Sequence, residues 1–445
     1  MNFLIATCFL LTSIGSCNNS ESINNDPSDS SKKVVIVGAG ISGLAAANYF
    51  KDKGVNPIVL EASDKIGGRL RTDRSLGIAF DEGASWIHGP KGNPITSLAT
   101  ESGANTFLTR DDLVKVYDFN GTPYAESVLD KAEAQYRKNL NRLNGNTHQS
   151  FGDAFYGQHP QLRNDRLWTY MLSAFLEFDT GGDINKLSST YFYDDEAFRG
   201  DDVIITNGFD RVTDFLAKGI DVRLNTKVQK IDYSQEKTII STSQGQFEAD
   251  YVLVTVPLGV LKQGVITFNP SLPKPTQNAI NGLEMGSVNK FLLTWDAPFW
   301  DNQLQYIGYT PEQKGKFNYF LNVSKFTNAH ALMTFAFGDY SKATESMSDA
   351  AITHEIMGHL KIIYGQDIPE PTHMLRTKWN IDSYTFGSYS FATKGTTAAD
   401  FEVFEEPVDN KIFFAGEHTI VDYRGTVHGA YLSGIREAKK ILRQY

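Results

Sequence analysis

A continuous apolar run, Val34-Val35-Ile36-Val37, passes directly into Gly38-Ala39-Gly40-Ile41-Ser42-Gly43, and this junction restricts the fold more than any other part of the chain. A β-branched run without polar alternation predicts a strand buried on both faces, as in a parallel sheet. The three glycines suit a tight strand-to-helix turn: Gly38 permits the turn, Gly40 lets a pyrophosphate approach the backbone, and Gly43 lets helix pack on strand. Leu44 to Lys53 reads as a helix stopped by Gly54, and Asn56 to Leu60 as a second strand closed by Glu61. An acid there accepts hydrogen bonds from a ribose diol, while the diphosphate rests on the positive end of the helix. The segment is a βαβ dinucleotide-binding unit.

A chain of 445 residues is long enough for two or three domains. Further strands are expected at Thr238–Ser241, Tyr251–Val256 and Ile412–Ala415, with a final helix from Gly429 to Tyr445. The expected class is therefore α/β. A Rossmann-like dinucleotide domain is assembled from three segments (33–90, 204–262 and 399–445) and interleaved with a mixed α+β substrate domain (91–203 and 263–398). Within that second domain the stretches 95–200 and 270–370 read as helical and aromatic-rich.

Composition narrows the chemistry. A net charge of -10 offers no basic stripe for phosphate contacts, which excludes nucleic acid as a partner. Both cysteines, Cys8 and Cys17, precede the body of the protein, so disulfides, cysteine-bound metals, a thiol nucleophile and a cysteinyl link to a cofactor are excluded there. No metal site is expected: His354 and His359 flank a zinc-like sequence but stand five apart, where a shared helical face needs four. The apolar run Phe3–Ile14, followed by Gly15-Ser16-Cys17 and a polar tract, reads as a signal peptide over 1–16 and a tether over 17–32. Ile14-Gly15-Ser16-Cys17 resembles a lipobox, which makes Cys17 the lipidation candidate and export to a membrane surface the expected localisation, with a plain secreted protein as the alternative.

Ile66-Gly67-Gly68-Arg69-Leu70-Arg71 adds a second glycine turn and a cation for the diphosphate, a continuation that favours FAD over a nicotinamide dinucleotide. Together with Leu60-Glu61-Ala62, this opening resembles that of the flavin amine oxidases. Four further stretches resemble the same family in its own order: Asp81–Gly89, Gly286–Lys290 with Phe299-Trp300, Gly387–Ser390, and Phe414–Thr419 with Gly425–Gly434. The nearest resemblance is to the branch of polyamine oxidases, spermine oxidases and lysine-specific histone demethylases.

The resemblance implies an amine substrate, oxygen as electron acceptor with hydrogen peroxide as product, and non-covalent FAD. It places Ser42, Glu61, Arg69, Ser85 and Trp86 around the cofactor, Val228 beside the adenine, Glu417 at the ribityl–diphosphate portion, and Thr426 and Val427 along the ring. Lys290 becomes the flavin-facing lysine, with a surface lysine as the alternative. Tyr389 becomes one wall of an aromatic slot, with Thr426 where some members carry a second tyrosine. His88 becomes a substrate-facing residue at the channel mouth, or else a structural histidine. Asp194, Asp195 and Glu196 resemble an acidic channel stretch, with Glu177 and Asp179 as weaker candidates. His418 reads as structural. Two rival readings stay open: an amino acid or aromatic monoamine oxidase, for which Arg199, Arg376 or Arg424 would clamp a carboxylate, and a non-catalytic flavoprotein.

Overall fold

The computed structural model describes residues 32–193 and 196–445. The signal-peptide and lipidation expectations, including Cys17, and the candidates Asp194 and Asp195 lie outside the described residues. Among the described residues no helix is long and apolar enough to cross a membrane.

Val34–Val37 is the middle strand of a five-stranded parallel sheet, ordered Ile412–Phe414, Tyr251–Val254, Val34–Val37, Ile58–Leu60, Asp221–Arg223. Val35 pairs with Val252 on one side and Ile58 on the other, and Val252 pairs in turn with Ile412. Three distant parts of the chain thus build one sheet. Apolar side chains cover both faces of the first three strands in that order, which therefore carry no polar alternation, whereas the edge strand Asp221–Arg223 alternates exposed Asp221 and Arg223 with Val222. The helix Ile41–Asp52 packs along the final helix Val427–Leu442 at glycine contacts. A Cβ on Gly43 would stand 2.1 Å from the Gly38 carbonyl oxygen, and one on Gly434 would stand 2.1 Å from that of Ser42. Both glycines are required by close approach.

The second body centres on a six-stranded sheet, ordered His373–Arg376, Val288–Trp295, His330–Phe337, Lys316–Asn322, Tyr306–Tyr309, Val114–Tyr117. It is antiparallel except for its last pair. The helical expectation for 270–370 is corrected here: four of the sheet's strands, Val288–Trp295, Tyr306–Tyr309, Lys316–Asn322 and His330–Phe337, occupy its middle, and helices are confined to Lys274–Gly282, Gly338–Thr344 and Asp349–Tyr364. The sheet is covered on both sides, so Val288–Trp295 and His330–Phe337 are buried along nearly their whole length. A strand with two apolar faces lacks the period of two that would betray it. Helices do dominate part of the earlier stretch, at Glu126–Asn141, Phe151–Gln158 and Arg166–Met171.

Candidate active site

A cavity of about 310 Å³ runs from the carboxyl ends of the parallel strands into the second body. Open parallel sheets bind ligands at that edge. At its first end, Glu61 closes the strand Ile58–Leu60 and accepts hydrogen bonds from Ala39 N at 2.7 Å and Ser63 N at 2.9 Å. Burial raises its carboxyl pKa against those backbone donors. Gly38, Gly40 and Ser42 line the cavity beside it, as does Val228 at the start of its strand. Gly43 stands behind, against the Gly38 backbone.

In the middle of the cavity, Arg69 Nη1 donates to Glu417 Oε1 at 2.8 Å and to the Ser388 carbonyl at 2.9 Å. Glu417 also accepts from Ser390 Oγ at 2.5 Å. Burial would raise its pKa, but Arg69 beside it holds the carboxyl below its usual value. One buried pair therefore joins three stretches far apart in sequence. His418, next along, is buried edge-on to Phe404, and burial pulls its imidazole down to about 4, so it stays neutral.

The far end is made of side chains. Lys290, on the strand Val288–Trp295, is 6% exposed, and its Nζ donates to the Asp81 carbonyl at 2.9 Å, the Gly83 carbonyl, and Ser85 Oγ at 2.5 Å. The ammonium stands 5.8 Å over the Trp86 ring. Burial pulls its pKa down to about 8 and pushes that of neighbouring Asp81 up to about 6. Tyr389 lines the cavity; its hydroxyl donates to the Phe178 carbonyl and its ring packs on Gly181. Thr426 caps the final helix, accepting from Gly429 N at 2.9 Å, so the positive end of that helix opens on the cavity beside Val427.

His88 lines the mouth with its side chain 58% exposed, and its Nδ1 lies 2.6 Å from Asp202 Oδ2. Desolvation is the largest single influence and lowers its pKa, but the hydrogen bond and charge of Asp202, together with the charges of Asp179 and Asp111, outweigh it and the net shift is upward. Asp179 also lines the cavity and accepts from the Tyr193 hydroxyl at 2.9 Å.

Other candidates stand elsewhere. Glu196 is exposed on a segment bonded to the Asp422 carbonyl and does not line the cavity. Glu177 is fully buried against Lys314 and faces away from the cavity. Of the proposed clamp residues none lines it: Arg376 is held by Thr344, Met347 and Asp349, Arg424 borders a small recess that adjoins the cavity at Asp179 and Gly425, and Arg199 sits in a backbone bridge to Lys91. His359 faces the Phe317 carbonyl, and no cluster among the described residues could hold a metal. Conversely Trp379, Phe178, Asp202 and His428 belong to the site's surroundings and were not singled out from sequence. Trp379 lies under the Arg71 guanidinium, 4.7 Å from ring to cation. Of these, only His428 carried a signal, its place inside the glycine-rich stretch Gly425–Gly434.

The lining fits FAD on two observations. A Cβ position on Gly40 has nothing within 4 Å, which leaves a backbone cradle for a diphosphate, and the buried Ser388 hydroxyl has no partner within the protein. Residues 41–442 match the family model of flavin containing amine oxidoreductases. Among curated relatives, a probable polyamine oxidase of Arabidopsis thaliana is 33% identical, with 92% of this chain and 87% of the relative covered. A human lysine-specific histone demethylase is 31% identical over 92% of this chain but only 53% of its own length. A solved putrescine oxidase double mutant superposes with a TM-score of 0.76 at 20% identity, covering 93% of this chain and 99% of that one, which shows the shared fold. This chain belongs to the flavin containing amine oxidoreductase family and is an FAD-dependent amine oxidase.

Proposed function

We propose that the amine is a polyamine, oxidised at a C–N bond to an imine. One contrast carries this reading. The arginines that line the cavity are both engaged by carboxylates, Arg69 by Glu417 and Arg71 by Glu82 and Asp382. At the Tyr389 end Lys290 is likewise engaged, by the oxygens of Asp81, Gly83 and Ser85, and the other charged lining groups are Asp179 and His88, the latter bonded to Asp202. An amino acid's carboxylate meets no guanidinium there, whereas a chain of ammonium groups meets carboxylates and an imidazole that changes charge near neutral pH. The plant polyamine oxidases at about one-third identity support the same class.

Bound FAD would supply the oxidant for the hydrogen and electron pair that leave the amine carbon. The chain's own residues prepare that transfer. Tyr389, Phe178 and Trp86 supply aromatic walls that hold an alkylamine and exclude water, and Asp179 pairs with a remote ammonium. Lys290 Nζ, among the oxygens of Asp81, Gly83 and Ser85, gives or takes a proton near neutral pH and orients a water for imine hydrolysis. Thr426 leaves room where a bulkier side chain would close the slot.

The test is anaerobic mixing of the FAD-loaded full chain with spermine, spermidine, putrescine, tyramine and L-amino acids. Bleaching of the flavin absorbance by the polyamines first supports the reading, and bleaching by an amino acid alone overturns it. We further propose that the chain is exported and lipid-anchored at Cys17. Cell fractionation of wild type against Cys17→Ser tests this, with release of the variant from membranes as the expected result.

A further inference from the structure

The helical path toward the amine end is irregular. Arg166–Met171 is α-helical, Leu172–Glu177 is a π turn, and the helix resumes at Phe178–Thr180 before Gly181 ends it at φ 70°. A π turn inserts a residue and rotates the rest of the helix, and such turns gather at functional sites. Here Glu177 is turned inward and fully buried, while Phe178 and Asp179 line the cavity. Glu177 meets Lys314, which reaches in from the turn between the strands Tyr306–Tyr309 and Lys316–Asn322. The same ammonium bonds Asp183 Oδ2 at 3.0 Å.

One cation thus ties together the two ends of a short loop. Burial raises the pKa of Glu177 against Lys314, while Lys314 itself is held protonated by the two acids despite its burial. Taking such a triad out of water costs more than an apolar replacement would, so stability alone does not account for it. The loop it ties down is the support of Tyr389. The Phe178 carbonyl accepts from the Tyr389 hydroxyl, and a Cβ on Gly181 would stand 2.6 Å from the Tyr389 ring. The Gly181 carbonyl also accepts from Ser287 N at 3.3 Å.

We propose that Lys314 is a positioning residue of the amine site, strapping Glu177 to Asp183 so that the loop between them holds Tyr389 and Asp179 in place for the substrate. This rests on the assignment of the Tyr389 wall to the amine. The strap bears on the Tyr389 wall and touches neither Lys290 nor the dinucleotide end, so it acts on flavin reduction by the amine and not on reoxidation by oxygen.

Lys314→Met alone leaves two buried carboxylates without their cation and is expected to fold poorly. The informative variant is Lys314→Met combined with Glu177→Gln, which removes one charge of each sign. It is compared with Lys314→Arg, Tyr389→Leu and wild type as full-length holoenzymes, using the amine that reduces wild type fastest. In the double variant, anaerobic flavin reduction slows by about tenfold, the loss expected of a sub-ångström misplacement. Reoxidation stays within about twofold, and Lys314→Arg restores reduction. Unchanged reduction in the double variant, or an equal loss in both half-reactions, overturns the proposal. If Tyr389→Leu also leaves reduction unchanged, the wall assignment fails and the proposal falls with it. If Tyr389→Leu slows reduction and the double variant does not, only the role of Lys314 is overturned.

Discussion

The two ends of the cavity are built by different means. At the dinucleotide end the working parts are backbone: the Gly38–Gly43 turn, the amides of Ala39 and Ser63 on Glu61, and helices that meet at glycines. At the amine end they are side chains from separate strands and loops, held by one another: Lys290 on the oxygens of Asp81, Gly83 and Ser85, His88 on Asp202, Tyr389 on Phe178. A backbone site tolerates few residues at each step because the constraint is steric. A side-chain site can exchange a residue and keep its frame, which is how one fold serves different amines.

The contrast is broken most severely at a glycine. Gly43→Val places carbon atoms on the Gly38 carbonyl, where even a Cβ comes within 2.1 Å. The expected outcome is loss of FAD and of folded protein, since backbone offers no flexible neighbour to yield. Flavin absorbance of the purified variant checks it, and a variant that keeps stoichiometric FAD would show the turn to be adaptable.

Next in size is Lys290→Met, which changes chemistry and should spare the cofactor. Loss of a positioned acid–base group costs about 10²-fold or more in the step it serves. FAD should remain bound and turnover should fall by that order, as stopped-flow kinetics would report. Because burial pulls the ammonium down to about 8, the wild-type rate limb assigned to a neutral Lys290 rises with pH through about 8 and is absent in the variant.

This same division decided how much could be read from the chain. The steric requirements of the dinucleotide end leave fixed glycine spacings, so Gly38, Gly40, Gly43 and Glu61 were visible, and with them the parallel sheet. The six-stranded sheet was not, because burial on both faces removed the alternation from Val288–Trp295 and His330–Phe337. At the amine end, Lys290, Tyr389 and His88 were found only through resemblance to a family. Asp202 and Trp379 were missed: Asp202 meets His88 across 114 positions of sequence, and nothing local marks either residue.

A smaller effect probes the mouth. Asp202→Asn removes the partner that raises the His88 pKa, so the pH limb of kcat/KM that reports His88 moves to lower pH. The sign extends to stability. The raised imidazole stabilises the fold below its unfolded value near 6.5, and that contribution is lost as pH rises through the folded pKa. Both side chains are substantially exposed, so the change is under about 1 kcal/mol. Titration of His88 by NMR in the two proteins checks the direction, and an unmoved titration would remove Asp202 from the account.

The smallest effect separates the two roles that meet at Thr426. Its hydroxyl caps the final helix by accepting from Gly429 N and donates to the Tyr423 carbonyl at 2.7 Å. Thr426→Ser keeps both bonds and should leave thermal midpoint and kinetics near wild type. Thr426→Ala loses the cap, worth about 1 kcal/mol, and should lower the thermal midpoint by about one degree in a chain of this size while kcat/KM for small amines changes little. Thr426→Tyr loses the cap by the same amount and also narrows the slot opposite Tyr389, so its added loss should fall on branched or bulky amines. If alanine and tyrosine variants share one substrate profile, Thr426 belongs with the backbone-built end of the cavity and contributes only a helix start. If their profiles diverge while their thermal midpoints agree, the first residue of a cofactor-facing helix is also a gate for the amine, and the boundary between the two ends runs through a single side chain.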